Sequence, residues 1–183
     1  MDAFESLIAM ILRRRGYWTA IGAKVELTNA EKERIGRRTS PRWEIDVVAY
    51  SGARNEILAI ECKSFLDSTG VIFGANGFSN KNRYKLFTDN QLRRTVLTRL
   101  KRQLISTGAC ASKPSMRLCL AAGKIAGGTN RDAMKAHFIR KKWELYDENW
   151  IVSQLIDLKG ARFENDVAYV VAKLLLRNRP EVT

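Results

Sequence analysis

Histidine and cysteine, from which structural metal sites and many nucleophilic triads are built, are nearly missing from this chain. It has one histidine, His137, and three widely spaced cysteines, Cys62, Cys110 and Cys119, with no C-x-x-C pair. A structural zinc site needs four thiolate or imidazole ligands, so one can barely be assembled here. The odd thiol count favours a reduced compartment over a disulfide framework. No apolar run approaches the roughly 20 residues of a membrane span. The opening MDAFESLIAMILRRRG places acids before its apolar run and arginines after it, the reverse of a secretory leader. These absences point to a cytoplasmic protein. Neither G-x-x-x-x-G-K-S/T nor G-x-S-x-G occurs, which excludes a P-loop NTPase and a nucleophile-elbow hydrolase.

Acid is the minority charge. Thirty-two Lys and Arg face 19 Asp and Glu, a formal +13. Such a surface attracts polyanions before any specific contact forms, and nucleic acid is the commonest such partner. An anionic membrane surface and a merely solvated basic face are the rival readings.

The 183 residues, 45% hydrophobic, suit a single domain: a core over about 2–122 and a C-terminal extension over about 129–178. Phe4, Leu7, Ile8, Ile11 and Leu12 recur at helical spacing, so 2–15 is expected to be an amphipathic helix, ended by Gly16. Residues 17–27 form a strand with a glycine flaw, and 28–41 a polar loop. Residues 42–50 (RWEIDVVAY) and 56–63 (EILAIECK) are the clearest strands, joined by SGARN as an antiparallel hairpin. Residues 64–87 lack periodicity and hold Gly70, Gly74 and Gly77; a connection this long is usually functional or mobile. Beyond it the pattern predicts a helix over 89–106, a buried strand over 116–122, a helix over 129–141, a short strand at 143–147 and a helix over 148–158. A last helix over 162–177 should turn Phe163, Val167, Val170, Val171, Leu174 and Leu175 inward. The order α-β-β-β-α-β, then α-β-α-α, implies an α/β fold: a mixed central sheet with helices on its faces.

Residues two apart on a strand share a face, so Glu44 pairs with Asp46 and Glu61 with Lys63. A hairpin symmetric about residues 53 and 54 sets Asp46 opposite Glu61, and Glu44 opposite Lys63. Carboxylates that close repel unless a cation lies between them, and Mg²⁺ or Mn²⁺ is the natural hard cation. An ammonium alongside can orient water or stabilise charge on a phosphate. A salt-bridge ladder on an exposed sheet face, including Glu44–Lys63, fits the same spacing.

The set Asp46 in I45-D46-V47-V48 and Glu61/Lys63 in I60-E61-C62-K63 resembles the PD-(D/E)XK nuclease superfamily. That superfamily has a restriction-endonuclease-like αβββαβ core, with the acid on the second strand and E-x-K on the third. The opening F4-E5-S6-L7-I8, with R14-R15-G16-Y17 behind it, is similar to Mrr-like and Holliday-junction-resolvase-like members. The likeness covers residues 4–63 well and the next helix and strand by order only; Ile45 stands where the family's proline would. It implies a metal-dependent DNA endonuclease in restriction, repair or recombination. Asp46 and Glu61 would hold Mg²⁺ or Mn²⁺, helped by the Cys62 backbone carbonyl and by Glu5 from the first helix, and Lys63 would position the attacking water. Gln103, with Gln91 behind it, is the candidate for the glutamine some members carry on the next helix, and Glu44 is a candidate accessory acid. The alternative is a catalytically inactive nuclease-fold module that only binds nucleic acid.

Three basic segments could track phosphates. One contains Lys32, Arg34, Arg37, Arg38 and Arg42. Another mixes Lys81, Arg83, Lys85, Arg93 and Arg94 with Phe78, Tyr84 and Phe87, aromatics that could stack on bases. The third is Arg140, Lys141 and Lys142. Each alone also reads as a solvated face. His137 is expected to be a partly buried helix residue. DNA is the favoured partner and RNA stays open. The sequence carries no interface signature, so a homodimer follows only from the need to cut two strands.

Overall fold

The computed structural model describes residues 2–36, 42–129, 131–162 and 164–177. Helix α1 (Ala3–Arg14) begins at Asp2, whose carboxylate accepts the Phe4 N–H at 2.7 Å, and ends with Arg13 and Arg14 against its C-terminal dipole. Strands β1 (Trp18–Val25), β2 (Trp43–Ser51) and β3 (Glu56–Lys63) follow as an antiparallel meander. Helix α4 (Asn90–Ser106) carries the chain across to β6 (Ser115–Ala122), parallel to β3, and α5 (Arg131–Lys141) carries it on to β7 (Glu144–Tyr146), parallel to β6. The sheet order is β1-β2-β3-β6-β7: an α/β fold with a mixed five-stranded sheet, its first six main elements in the expected α-β-β-β-α-β order. Among the described residues no helix is long and apolar enough to cross a membrane.

Two cores lie on the two faces of the sheet. Ile8, Ile11 and Leu12 of α1 pack with Val47, Leu58, Ile60 and Cys119, together with residues of α6 (Glu148–Ile156) and α7 (Val167–Leu176). On the opposite face α4 and α5 cover Val48, Ile57, Ala59 and Leu120. Strand β3 buries residues on both faces, as a central strand between two helical layers must.

Four expectations are corrected. Within 28–41, Asn29–Arg34 form a short helix, α2, because Thr28 and Glu31 make a reciprocal capping box. The connection after β3, which shows no periodicity, holds short elements: a two-stranded ribbon, β4 (Phe73–Gly74) and β5 (Gly77–Phe78), precedes a 3-10 turn (Lys81–Tyr84) and α3 (Lys85–Thr88). Phe78 stacks on Tyr84 at 4.2 Å between centroids and touches Phe87, so these aromatics form a core and do not face solvent. Finally, α7 buries Tyr169 and Ala172 and leaves Val167, Val170, Val171, Leu174 and Leu175 exposed, the reverse of the expected face. Tyr169 fixes that choice by packing in the α1 core beneath Arg14, whose guanidinium lies 5.4 Å from its ring. Arg37, Arg38 and Phe163 lie outside the described residues.

Candidate active site

The hairpin has the expected symmetry. Val47 faces Ile60 and Ser51 faces Glu56, across a turn in which Asn55 takes a positive φ of 45°. Regular pairing stops at Val47–Ile60, so Asp46 and Glu61 sit where β2 and β3 part. The parting has a cause in β1. Gly22 has φ +63°, and the β1–β2 register runs through Ile21–Val47 and Ala23–Ile45 without pairing residue 22 to 46. Ile21 and Val47 pack into the α1 core, whereas Ala23 and Ile45 pack into the opposite one. Both strands therefore change face at this level, and the two-residue rule fails at Asp46. A non-glycine residue at position 22 would be strained there and would press on Glu44, whose Oε1 lies 3.3 Å from where a Cβ would stand.

At that break the Asp46 side chain takes over from the ladder. Its Oδ2 accepts the Cys62 backbone N–H at 2.6 Å, a short charge-assisted bond that satisfies a donor left without a strand partner. One residue either side of Cys62, Lys63 donates to Glu61 Oε1 at 2.7 Å, and their side chains are only 21% and 17% exposed. Burial raises the Asp46 carboxyl above the ordinary carboxylate range, against the Cys62 N–H and the Lys63 charge, while Glu44 and Asp2 push it further up. Burial also raises Glu61, with Lys63 pulling it down and Asp46 pushing it up. Glu5, in the first turn of α1, is raised by burial and then by Asp46, and held down by the Asp2 backbone. The Cys62 thiol is pushed up by burial, then by Asp46 and Glu5, so it is no nucleophile at neutral pH. Asp46 is thus the common neighbour in charge of Glu61, Lys63 and Glu5 at one end of the sheet. Among the described residues no three His, Cys, Asp or Glu side chains would by themselves hold an ion.

No family model, curated protein or solved structure matches this chain. What the site can do therefore rests on its own residues.

Several expected site residues have other work. Glu44 pairs with Lys24 across β1–β2 at 3.9 Å, both half exposed, while Lys63 is taken by Glu61. The expected Glu44–Lys63 pair does not form, and Glu44 reaches the site only as charge on Asp46. Gln103 is a clip between α4 and the end of β1: it accepts the Glu26 N–H at 3.1 Å and donates to the Lys24 carbonyl at 2.9 Å. Gln91 likewise donates to the Arg34 carbonyl. Arg93 donates to the Leu86 and Phe87 carbonyls and to Asn90, and lies 5.0 Å from the Trp143 ring, so it fastens the α3–α4 corner and offers no free fork to a phosphate. Arg42 pairs with Glu26 at 2.8 Å. His137 is half-buried against Phe73 and Trp143, as expected.

Lys81, Arg83 and Arg94 are exposed and Lys85 is half-buried. Arg83 lies over the ring of Phe65, two residues past Lys63, at 5.9 Å. Tyr84 is buried, and its hydroxyl is pushed up to about 12 by burial and by Glu61, against Arg83. Its ring is stacked on Phe78 inside the core, not on the surface where a base could meet it.

Two contributors have no sequence motif. Asp2 caps α1 and adds charge to Asp46 and Glu5. Gly123, just past β6, donates to the Lys63 carbonyl at 2.9 Å; a Cβ there would stand 2.3 Å from the Ser64 carbonyl oxygen. The G-K that follows β6 was the only available hint of such a close backbone approach.

Proposed function

We propose that this protein is a Mg²⁺- or Mn²⁺-dependent DNA endonuclease with a restriction-endonuclease-like core. One observation carries the reading: Asp46 leaves the strand ladder to bond the Cys62 N–H, and its carboxylate is thereby coupled to the Glu61–Lys63 pair at the point where β2 and β3 part. The order of the first six main elements and the formal +13 charge agree with it.

The donor set fits a hard cation. Asp46 and Glu61 are half-buried acids, and the Asp46 charge raises the proton affinity of Glu61, an arrangement that favours a positive charge near both. Two carboxylates with a main-chain carbonyl such as that of Cys62, completed by solvent, make the kind of oxygen set magnesium accepts, with Glu5 close enough to add its charge. When bound, the cation supplies a Lewis acid to the phosphate and lowers the pKa of water.

The chain's own groups do the rest. Lys63, held by Glu61, offers an ammonium that orients the attacking water and stabilises charge growing on the phosphate. Lys81 and Arg83, on the 3-10 turn beside the site, grip flanking phosphates. A second reading is a nucleic-acid-binding module that cleaves nothing. The 2.7 Å Lys63–Glu61 ion pair favours it, since each group already satisfies the other.

The test is incubation with supercoiled, linear and branched DNA in Mg²⁺, Mn²⁺ or EDTA. The nuclease reading expects cation-dependent cleavage that Lys63→Ala abolishes while DNA affinity persists. Salt-sensitive binding with no cleavage under any cation would establish the second reading instead.

A further inference from the structure

The outer face of α7 is a continuous apolar stripe. Val167, Val170, Val171, Leu174 and Leu175 stand at i, i+3, i+4, i+7 and i+8 and are all exposed, Val167 at 78% and Leu174 at 67%. Val152 and Ile156, one turn apart on α6, extend it, and a groove of about 730 Å³ separates it from Ala3, Ser6 and Leu7 of α1. These two helices hold seven of the twelve exposed large hydrophobic residues among those described. Scattered surface apolar side chains need no explanation, but a patch this concentrated does.

We propose that this face is the interface of a homodimer in which α7 packs antiparallel against α7 of a second copy. Charge selects the occupant. Two molecules each carrying +13 repel through most of their surface, so they can meet only where charge is balanced. Residues 151–177 are such a region, with four basic residues (Lys159, Arg162, Lys173, Arg177) against three acidic (Asp157, Glu164, Asp166). Their arrangement is polar along the helix: Glu164 and Asp166 stand at its start and Arg177 at its end. Lys173 is turned inward to the Lys159 and Ala161 carbonyls, which leaves Arg177 as the outward cation of the last turn.

An antiparallel pair centred on Val171 sets Val167 against Leu175 and brings Glu164, whose carboxylate also bonds the Tyr169 hydroxyl of its own copy, beside Arg177 of the second copy, twice by symmetry. A two-fold interface requires a patch that complements itself in this way. The exposed parts of the seven apolar residues amount to roughly 650 Å² per copy, close to the ~800 Å² per partner of a standard interface, with the polar flanks still to add. The face lies on the α1 side of the sheet and is independent of the catalytic reading.

Sedimentation velocity of the 183-residue chain over a concentration series tests this. The expected species is two copies of 20.8 kDa. Leu174→Glu, at an exposed position, should give the single-copy mass with an unchanged circular dichroism spectrum. Arg177→Glu should weaken the dimer, and adding Glu164→Arg should restore it; this charge swap decides the matter if Leu174→Glu fails to fold. A wild-type chain that stays single at every concentration overturns the proposal, including one that instead binds phosphatidylserine–phosphatidylcholine vesicles. So does a dimer that survives Leu174→Glu, or a swap that restores nothing.

Discussion

Asp46 has two roles that one atom can separate. Its Oδ2 accepts the Cys62 N–H, and its charge raises Glu61 and Glu5. Asp46→Ala removes both. The orphaned N–H then costs about 1–3 kcal/mol, partly offset by relief of repulsion among the remaining acids. For a chain of this length a net loss of about 1–2 kcal/mol lowers the melting temperature by ~2–8 °C. Asp46→Asn keeps an oxygen that can accept from Cys62 while removing the charge. It should melt within about 2 °C of wild type, because a neutral hydrogen bond survives and the repulsion is gone. Both variants should lose Mn²⁺ affinity, read by titration calorimetry, and both should lose cleavage. If Asn destabilises as much as Ala, the 2.6 Å bond is not what holds the strand end. If Asn binds Mn²⁺ as wild type does, Asp46 is no ligand and the catalytic reading fails.

Three further outcomes follow from the same geometry. Asp46, Glu61 and Glu5 all have raised folded-state proton affinities, so the folded chain holds protons that the unfolded chain releases. Their contribution to stability is full below the ordinary carboxylate range and is lost as pH rises through the raised folded-state values. In EDTA, Glu61→Gln should therefore gain on wild type in urea midpoint as pH rises, and Mg²⁺ should close that gap; a difference that does not change with pH would refute it. Gly123→Ala must push back the Ser64 carbonyl or the β6 end, so it should cut cleavage at least about tenfold by shifting Lys63; full activity would show that the contact yields freely. Arg93→Ala should lower stability by about 1–3 kcal/mol in urea unfolding, through the lost Leu86 and Phe87 bonds and the Trp143 contact, with little change in the salt dependence of DNA binding. A flattened salt dependence would return Arg93 to the phosphate track.

The hairpin was legible because β2 and β3 combine dense β-branched residues with a short turn, and its register follows from symmetry alone. That register brings Asp46 and Glu61 to the level at which β2 and β3 part, where Asp46 bonds the Cys62 N–H. The change of face at Gly22 was not legible beyond a flaw in the strand, since a positive φ on one strand must be matched by a break on its neighbour. Helix α2 escaped notice although Thr28 and Glu31 spell a capping box, because the helix buries nothing and shows no periodicity. In α7 the sequence VAYVVAKLLL is apolar nearly all round, so spacing could not select a face; packing of Tyr169 against α1 did. The residues whose spacing suggests a core are the ones that stand exposed on the outer face of α7. Phe78, Tyr84 and Phe87 pack on one another and on Phe138, while Lys81 and Arg83, next to them in sequence, stay exposed, a separation that sequence adjacency does not reveal.

The central claim is that Asp46, Glu61 and Lys63 form a cation-dependent phosphodiesterase site, and nicking of supercoiled plasmid by wild type and Glu61→Gln tests it most directly. Wild type should nick in Mg²⁺ and not in EDTA, and Glu61→Gln should be slower by about 100-fold or more. Equal nicking by the variant, nicking that resists EDTA, or intact plasmid with wild type would contradict the account.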